Sequence, residues 1–90
     1  MASLHVQIRG RVQGVGFRWY VRVAGRHLQL SGWVRNRPDG SVEVAAAGSE
    51  DRLGELKKLL KRGPDGAEVS EVVDLAEVAG ELDYPFAMKK

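Results

Sequence analysis

Hydrophobic side chains recur along the chain with two different periods. In four stretches every second position is apolar, which predicts strands with one buried face. In two other stretches apolar side chains lie three and four positions apart, which predicts amphipathic helices. The predicted strands span 3–12, 31–37 and 41–47 and lie within 67–78, and the predicted helices span 17–29 and 50–62.

Local signals mark the ends of these elements. Pro38-Asp39-Gly40 predicts a turn that joins the second and third strands in a hairpin. Ser49 predicts the N-cap of the second helix, and Gly63-Pro64 predicts its end. The alternation in the fourth strand slips near Val72-Val73, which we interpret as a bulge. Residues 84–88 are a candidate for a short fifth strand at the edge of the sheet.

The order β-α-β-β-α-β is the split βαβ, or ferredoxin-like, arrangement of the α+β class. It predicts an antiparallel sheet with both helices on one face and solvent on the other. Ninety residues are enough for one modest core, so 1–90 is interpreted as a single domain. In this topology the first and second strands run in the same direction. We therefore expect Asn36, at the end of the second strand, to lie at the same edge as Arg18.

Composition narrows the classes of function. The chain has no cysteine, which excludes disulfides, thiolate metal sites and cysteine nucleophiles and favours a reducing compartment. No apolar run approaches the roughly 20 residues needed to cross a bilayer, so a cytoplasmic protein without membrane contact is expected. The net charge is +2, and Asp39 is the only acid among the first forty residues. This asymmetry favours a small anionic ligand, although RNA would also fit it.

A glycine-containing segment joins the first strand to the first helix. It reads Gly10-Arg11-Val12-Gln13-Gly14-Val15-Gly16-Phe17-Arg18. Two glycines flank Val15, so the backbone can take positive φ and turn its N–H groups inward. These donors would lie at a helix N-terminus, where the peptide dipoles favour an anion. Arg18 adds a guanidinium that matches phosphate oxygens, so the segment is a candidate phosphate site.

Two signatures relate the chain to a known family. The segment does not match the common nucleotide-binding motifs, because Trp19 stands at the third glycine position of G-x-G-x-x-G and no Lys-Ser or Lys-Thr completes a P-loop. The run from Val12 to Arg18 instead closely resembles a signature of the acylphosphatase family. Gly32-Trp33-Val34-Arg35-Asn36-Arg37-Pro38-Asp39-Gly40 resembles the second signature of that family. The resemblance covers the whole chain, although Pro85 falls in what is usually a strand and leaves the pairing of the last strand open.

The resemblance implies metal-independent hydrolysis of acyl phosphates to a carboxylate and inorganic phosphate, without a cofactor. A carboxylate leaving group has a pKa of about 4 and needs no general acid, so positioning and charge stabilisation become the main requirements. The predicted catalytic residues are Arg18, which pairs with phosphoryl oxygens, and Asn36, whose carboxamide orients the attacking water. The predicted phosphate-binding residues are Gln13, Gly14, Val15, Gly16, Phe17 and Arg18.

Alternative interpretations remain at this point. Split βαβ domains also bind RNA by stacking bases on aromatic side chains of the open sheet face, so a non-catalytic phosphate- or RNA-binding module is the rival hypothesis. Asn36 could simply stabilise the turn that follows it. The enzyme hypothesis predicts an acyl phosphate as substrate and inorganic phosphate as product and competitive inhibitor. It predicts a monomer that binds neither metal, nucleic acid nor membrane.

Overall fold

The computed structural model describes residues 2–77 and 81–89, which form a five-stranded sheet and two helices. In sheet order the strands are β4-β1-β3-β2-β5. The predicted α+β, ferredoxin-like fold is confirmed, with the short strand 84–88 reduced to two residues. Val78, which ends the predicted range of the fourth strand, lies outside the described residues. The elements are β1 (Ala2–Arg11), α1 (Phe17–His27), β2 (Ser31–Asn36), β3 (Val42–Gly48), α2 (Glu50–Arg62), β4 (Glu68–Asp74) and β5 (Ala87–Met88).

Both helices pack against the same face of the sheet and share one core with it. The alternation in the strands explains this arrangement, because Val6 and Ile8 of β1 are fully buried on that face. Each such side chain contributes about 1.5–3 kcal/mol of burial free energy. The other core residues from the sheet and helices include Val34, Val42, Val44, Ala46, Phe17, Val21, Leu53, Leu56 and Leu60.

The sheet differs from the predicted one in two respects. β5 pairs parallel to β2, with Trp33 opposite Ala87, so the sheet is antiparallel everywhere except at this edge. The fourth strand contains the predicted bulge, but not at Val72-Val73 themselves, because both residues pair regularly with β1. The register shifts instead around Ser70. One inserted residue there turns Val69 and Val72 toward the same core, which is why the alternation slips in the sequence.

The face of the sheet away from the helices holds a buried carboxylate. The Glu43 side chain is 5% exposed and accepts hydrogen bonds from His5 Nε2 at 2.6 Å and from Arg35 Nε at 2.8 Å. Burial raises the pKa of Glu43, and the hydrogen bonds from His5 and Arg35 outweigh this effect, so its pKa lies below the usual value. This face is therefore polar but not fully open to solvent.

Candidate active site

The glycine segment after β1 has the backbone conformation that its sequence predicts. Gly14 and Gly16 have φ angles of 75° and 77°, in the left-handed region. Within the described part of the chain, nothing lies within 4 Å of the position that a Cβ would take at either residue. The backbone conformation, not a lack of space, therefore requires glycine here.

The two helices begin differently. At α2, the Ser49 side chain accepts from the N–H of Arg52 at 3.3 Å, and Glu50 and Asp51 lie in the first turn. At α1, no described side chain caps the N-terminus, Gly16 occupies the N-cap position, and the first turn holds no acid. The first N–H groups of a helix have no partner within it. Those of α1 are therefore left for an external acceptor, and the helix dipole favours an anion there.

A cleft of about 270 Å³ lies beside this helix end. Arg18 and Asn36 both line it, as the strand topology predicts for the end of β2. Gln13 and Val15 are not among its lining residues in the part of the chain described here. The cleft is lined by Val12, Gly14, Gly16, Phe17, Arg18, Trp19, Asn36 and Met88.

The Gln13 side chain forms two hydrogen bonds within the chain. Its Nε2 donates to the carbonyl oxygens of Arg37 at 2.8 Å and Ser41 at 2.9 Å. Both acceptors flank the turn after β2, so this amide ties the glycine segment to the turn that follows Asn36. The Val15 side chain packs against the core. Neither contact involves the backbone N–H groups of the glycine segment, so Gln13 and Val15 stay predicted phosphate-binding residues.

Arg18 is held by the C-terminal end of the chain. Its Nη1 donates to the carbonyl oxygen of Lys89 at 3.0 Å. The N–H of Lys89 in turn donates to the carbonyl of Val34 at 2.8 Å, which continues the pairing of β5 with β2. The local sequence pattern does not predict this contact. It restricts the guanidinium, and no other described residue accepts a hydrogen bond from it, so its remaining N–H groups are available to the cleft.

Asn36 does not stabilise the turn that follows it. That task falls to Asp39, whose Oδ1 accepts from the N–H of Ser41 at 2.9 Å. The hydrogen bond from the Ser41 hydroxyl lowers the pKa of Asp39, which keeps this carboxylate charged as an acceptor. Among the residues that the structure describes, none forms a hydrogen bond with the Asn36 carboxamide. This half-buried amide is therefore available to a ligand in the cleft.

A larger groove of about 420 Å³ is lined by Arg9, Gly10 and residues 39–41 of the turn after β2. Its charged groups already have partners, because Arg9 lies 3.9 Å from Glu71 and Asp39 accepts from Gln7 at 3.0 Å. Across residues 2–77 and 81–89, no three His, Asp or Glu side chains gather into a group that could hold a metal ion. No helix in those ranges is long and apolar enough to cross a membrane. The 270 Å³ cleft is therefore the better candidate for the active site.

The acylphosphatase family model matches residues 4–83. The chain belongs to the acylphosphatase family. It is 51% identical over 81 residues to the acylphosphatase of Thiobacillus denitrificans, covering 90% of each chain. It is 55% identical over 69 residues to that of Pseudomonas aeruginosa, covering 77% of this chain and 76% of the relative. The chain also aligns with the crystal structure of acylphosphatase from Bacillus subtilis over the full length of both proteins, with a TM-score of 0.86 and 34% identity.

Family membership confirms the enzyme hypothesis. The chain is a hydrolase that cleaves the carboxyl–phosphate bond of small acyl phosphates into a carboxylate and inorganic phosphate. Nothing in these comparisons favours the non-catalytic phosphate- or RNA-binding module.

Proposed function

We propose that the cleft between the glycine segment and the end of β2 is the acylphosphatase active site. One observation carries the proposal: Arg18 and Asn36 line the same cleft beside the uncapped N-terminus of α1. The phosphoryl oxygens bind the guanidinium of Arg18 and the backbone N–H groups from Gly14 to Arg18. The C-terminal carbonyl that holds Arg18 supports this role, because it fixes the direction of a long side chain before substrate arrives.

In the proposed reaction, Asn36 positions the attacking water. Its carboxamide oxygen accepts from the water and its NH₂ group donates, which directs the water oxygen toward phosphorus. The new P–O bond forms as the bond between phosphorus and the carboxylate oxygen breaks, and the carboxylate leaves with the bonding electrons. A proton of the water passes to a phosphoryl oxygen. Because this leaving group needs no proton, the step needs no general acid from the chain, and Arg18 with the backbone N–H groups supplies the charge stabilisation.

Substitution of Arg18 tests the assignment. Arg18→Lys should lower kcat/KM for benzoyl phosphate nearly as much as Arg18→Ala, by about 10²-fold or more, because an ammonium cannot form the bidentate pair. Both variants should also weaken inhibition by inorganic phosphate. The matched control is Arg52→Lys on the exposed surface of α2, which should leave both constants unchanged. An Arg18→Lys enzyme with most of the wild-type activity would refute the bidentate role.

We propose further that the enzyme is a cytoplasmic monomer that is competitively inhibited by inorganic phosphate and does not bind nucleic acid. The polar face of the sheet supports the monomer, because Glu43 is satisfied within the chain. Phosphate at about 100 times its Kd should stabilise the fold by about 2.7 kcal/mol, whereas an oligonucleotide should give no salt-dependent shift. Light scattering measures the mass, which for a monomer is 9.9 kDa, and cell fractionation measures the location.

A further inference from the structure

The candidate active site has an apolar wall that phosphate binding does not use. Trp19 and Met88 line the cleft next to Arg18. These two residues remain 58% and 40% exposed, whereas Phe17 and Phe86 are almost completely buried. We propose that Trp19, together with Met88, binds the acyl group of the substrate. On this basis the enzyme prefers acyl phosphates with an aromatic or extended apolar acyl group over acetyl phosphate.

The position of Trp19 in the first turn of α1 explains its exposure. The next aromatic residue, Tyr20, points inward, and its hydroxyl donates to the carbonyl of Leu59 at 2.9 Å. Trp19 therefore points away from the core. The guanidinium of Arg22, three positions further on the helix, lies 4.1 Å from the centroid of the Trp19 ring. This cation–π contact restrains the indole from one side and leaves the rest of the ring to the cleft.

The size of the cleft supports a second group beside the phosphate. At roughly 30 Å³ for each heavy atom, the volume of a water molecule in the liquid, a phosphoryl group fills about half of the 270 Å³. The acyl carbon is joined to phosphorus through a single oxygen, so the acyl group begins at the cleft, beside the volume that the phosphoryl group leaves unfilled. Besides Arg18 and Asn36, the cleft offers the indole of Trp19 and the thioether of Met88. Both surfaces favour an aromatic ring over a methyl group.

The proposal rests on the phosphate position proposed above and predicts a substrate-selective effect. Trp19→Ala should raise KM for benzoyl phosphate about tenfold with kcat nearly unchanged, because an acyl contact acts on substrate and transition state alike. KM for acetyl phosphate should change less than about twofold. Inhibition by inorganic phosphate should not change, whereas inhibition by benzylphosphonate, which carries a ring and cannot be hydrolysed, should weaken as KM for benzoyl phosphate does. Trp19→Phe should keep most of the preference.

The control is Val23→Ala, because Val23 is also an exposed apolar residue of α1 (49%) but does not line the cleft. An equal rise of KM for both substrates, or a parallel loss of phosphate inhibition, would overturn the proposal. So would unchanged kinetics for Trp19→Ala, or a wild-type enzyme without preference between the two substrates. Failure of the active-site assignment gives a different result: Arg18→Ala would then leave the hydrolysis of both substrates intact.

Discussion

Gly25 lies in α1 where the helix contacts the C-terminal segment. A Cβ at this position would come within 2.5 Å of Cδ2 and 2.9 Å of Cδ1 of Phe86, far closer than two carbon atoms approach each other in folded proteins. Phe86 is fully buried and Gly25 is buried as well, so the ring has no open space to move into. Gly25→Ala should therefore destabilise the protein, although alanine is the better helix former.

The size of the effect follows from two opposing terms. Alanine is favoured over glycine inside a helix by about 0.8–1.0 kcal/mol, and forcing an extra carbon into a packed core costs about 1–3 kcal/mol. The net result is a loss of up to about 2 kcal/mol. Gly54 in α2 provides the matched control, because it is exposed and nothing lies within 4 Å of its Cβ position among the described residues. The difference between the two alanine variants isolates the steric term.

Thermal and urea unfolding measure the stability of both variants. A change of 1 kcal/mol shifts Tm by about 4–8 °C in a domain of this size, so Gly54→Ala should melt about 4 °C above the wild type and Gly25→Ala below it. Adding Phe86→Leu to Gly25→Ala should recover part of the loss, because the two positions are coupled. If Gly25→Ala gains as much stability as Gly54→Ala, the helix and the ring are not in contact and the reasoning fails.

Two further predictions concern the site and the buried carboxylate. Asn36→Ala should lower kcat for benzoyl phosphate while the inhibition constant of phosphate stays unchanged; loss of phosphate affinity with kcat preserved would contradict the water-orienting role. Glu43→Gln should lower the free energy of unfolding, measured in urea near neutral pH, by about 2–4 kcal/mol, because it leaves His5 and the partly exposed Arg35 without their carboxylate partner. The pKa of Glu43 is lower in the folded state than in the unfolded state. The wild type therefore keeps the stability that ionised Glu43 contributes above the ordinary glutamate pKa of about 4.3 and loses it as the pH falls further. A wild-type protein that is equally stable in acid would contradict this.

The parts of the fold that the sequence predicts are those determined by short-range patterns. Alternation and three- and four-residue spacing depend only on which face is buried, so both helices and the four longer strands agree with the structure within a few residues. The meeting of Arg18 and Asn36 at one cleft follows from strand direction alone. These inferences need no knowledge of which distant residues touch.

The rest depends on contacts between distant residues. Gln13 lies in the glycine segment between β1 and α1, and no local pattern shows that its amide reaches the carbonyls of Arg37 and Ser41. The same holds for Arg18 and Lys89, which lie 71 positions apart in the sequence. Glu43 falls on the predicted solvent face, where a carboxylate is expected to be exposed, and only the folded sheet brings His5 to it.

These distant contacts share a consequence for catalysis. Hydrolysis of an acyl phosphate needs no proton donor for the leaving group, so the rate depends on how well the phosphoryl group and the water are held. The contacts of Gln13 and Lys89 join the glycine segment, the turn after β2 and the C-terminal strand around the cleft. If the proposed active site is correct, these contacts fix it before substrate binds and reduce the reorganisation needed in the transition state. On the proposed assignment of the active site, the Gln13 amide and the Lys89 carbonyl therefore contribute to the rate by positioning Asn36 and Arg18.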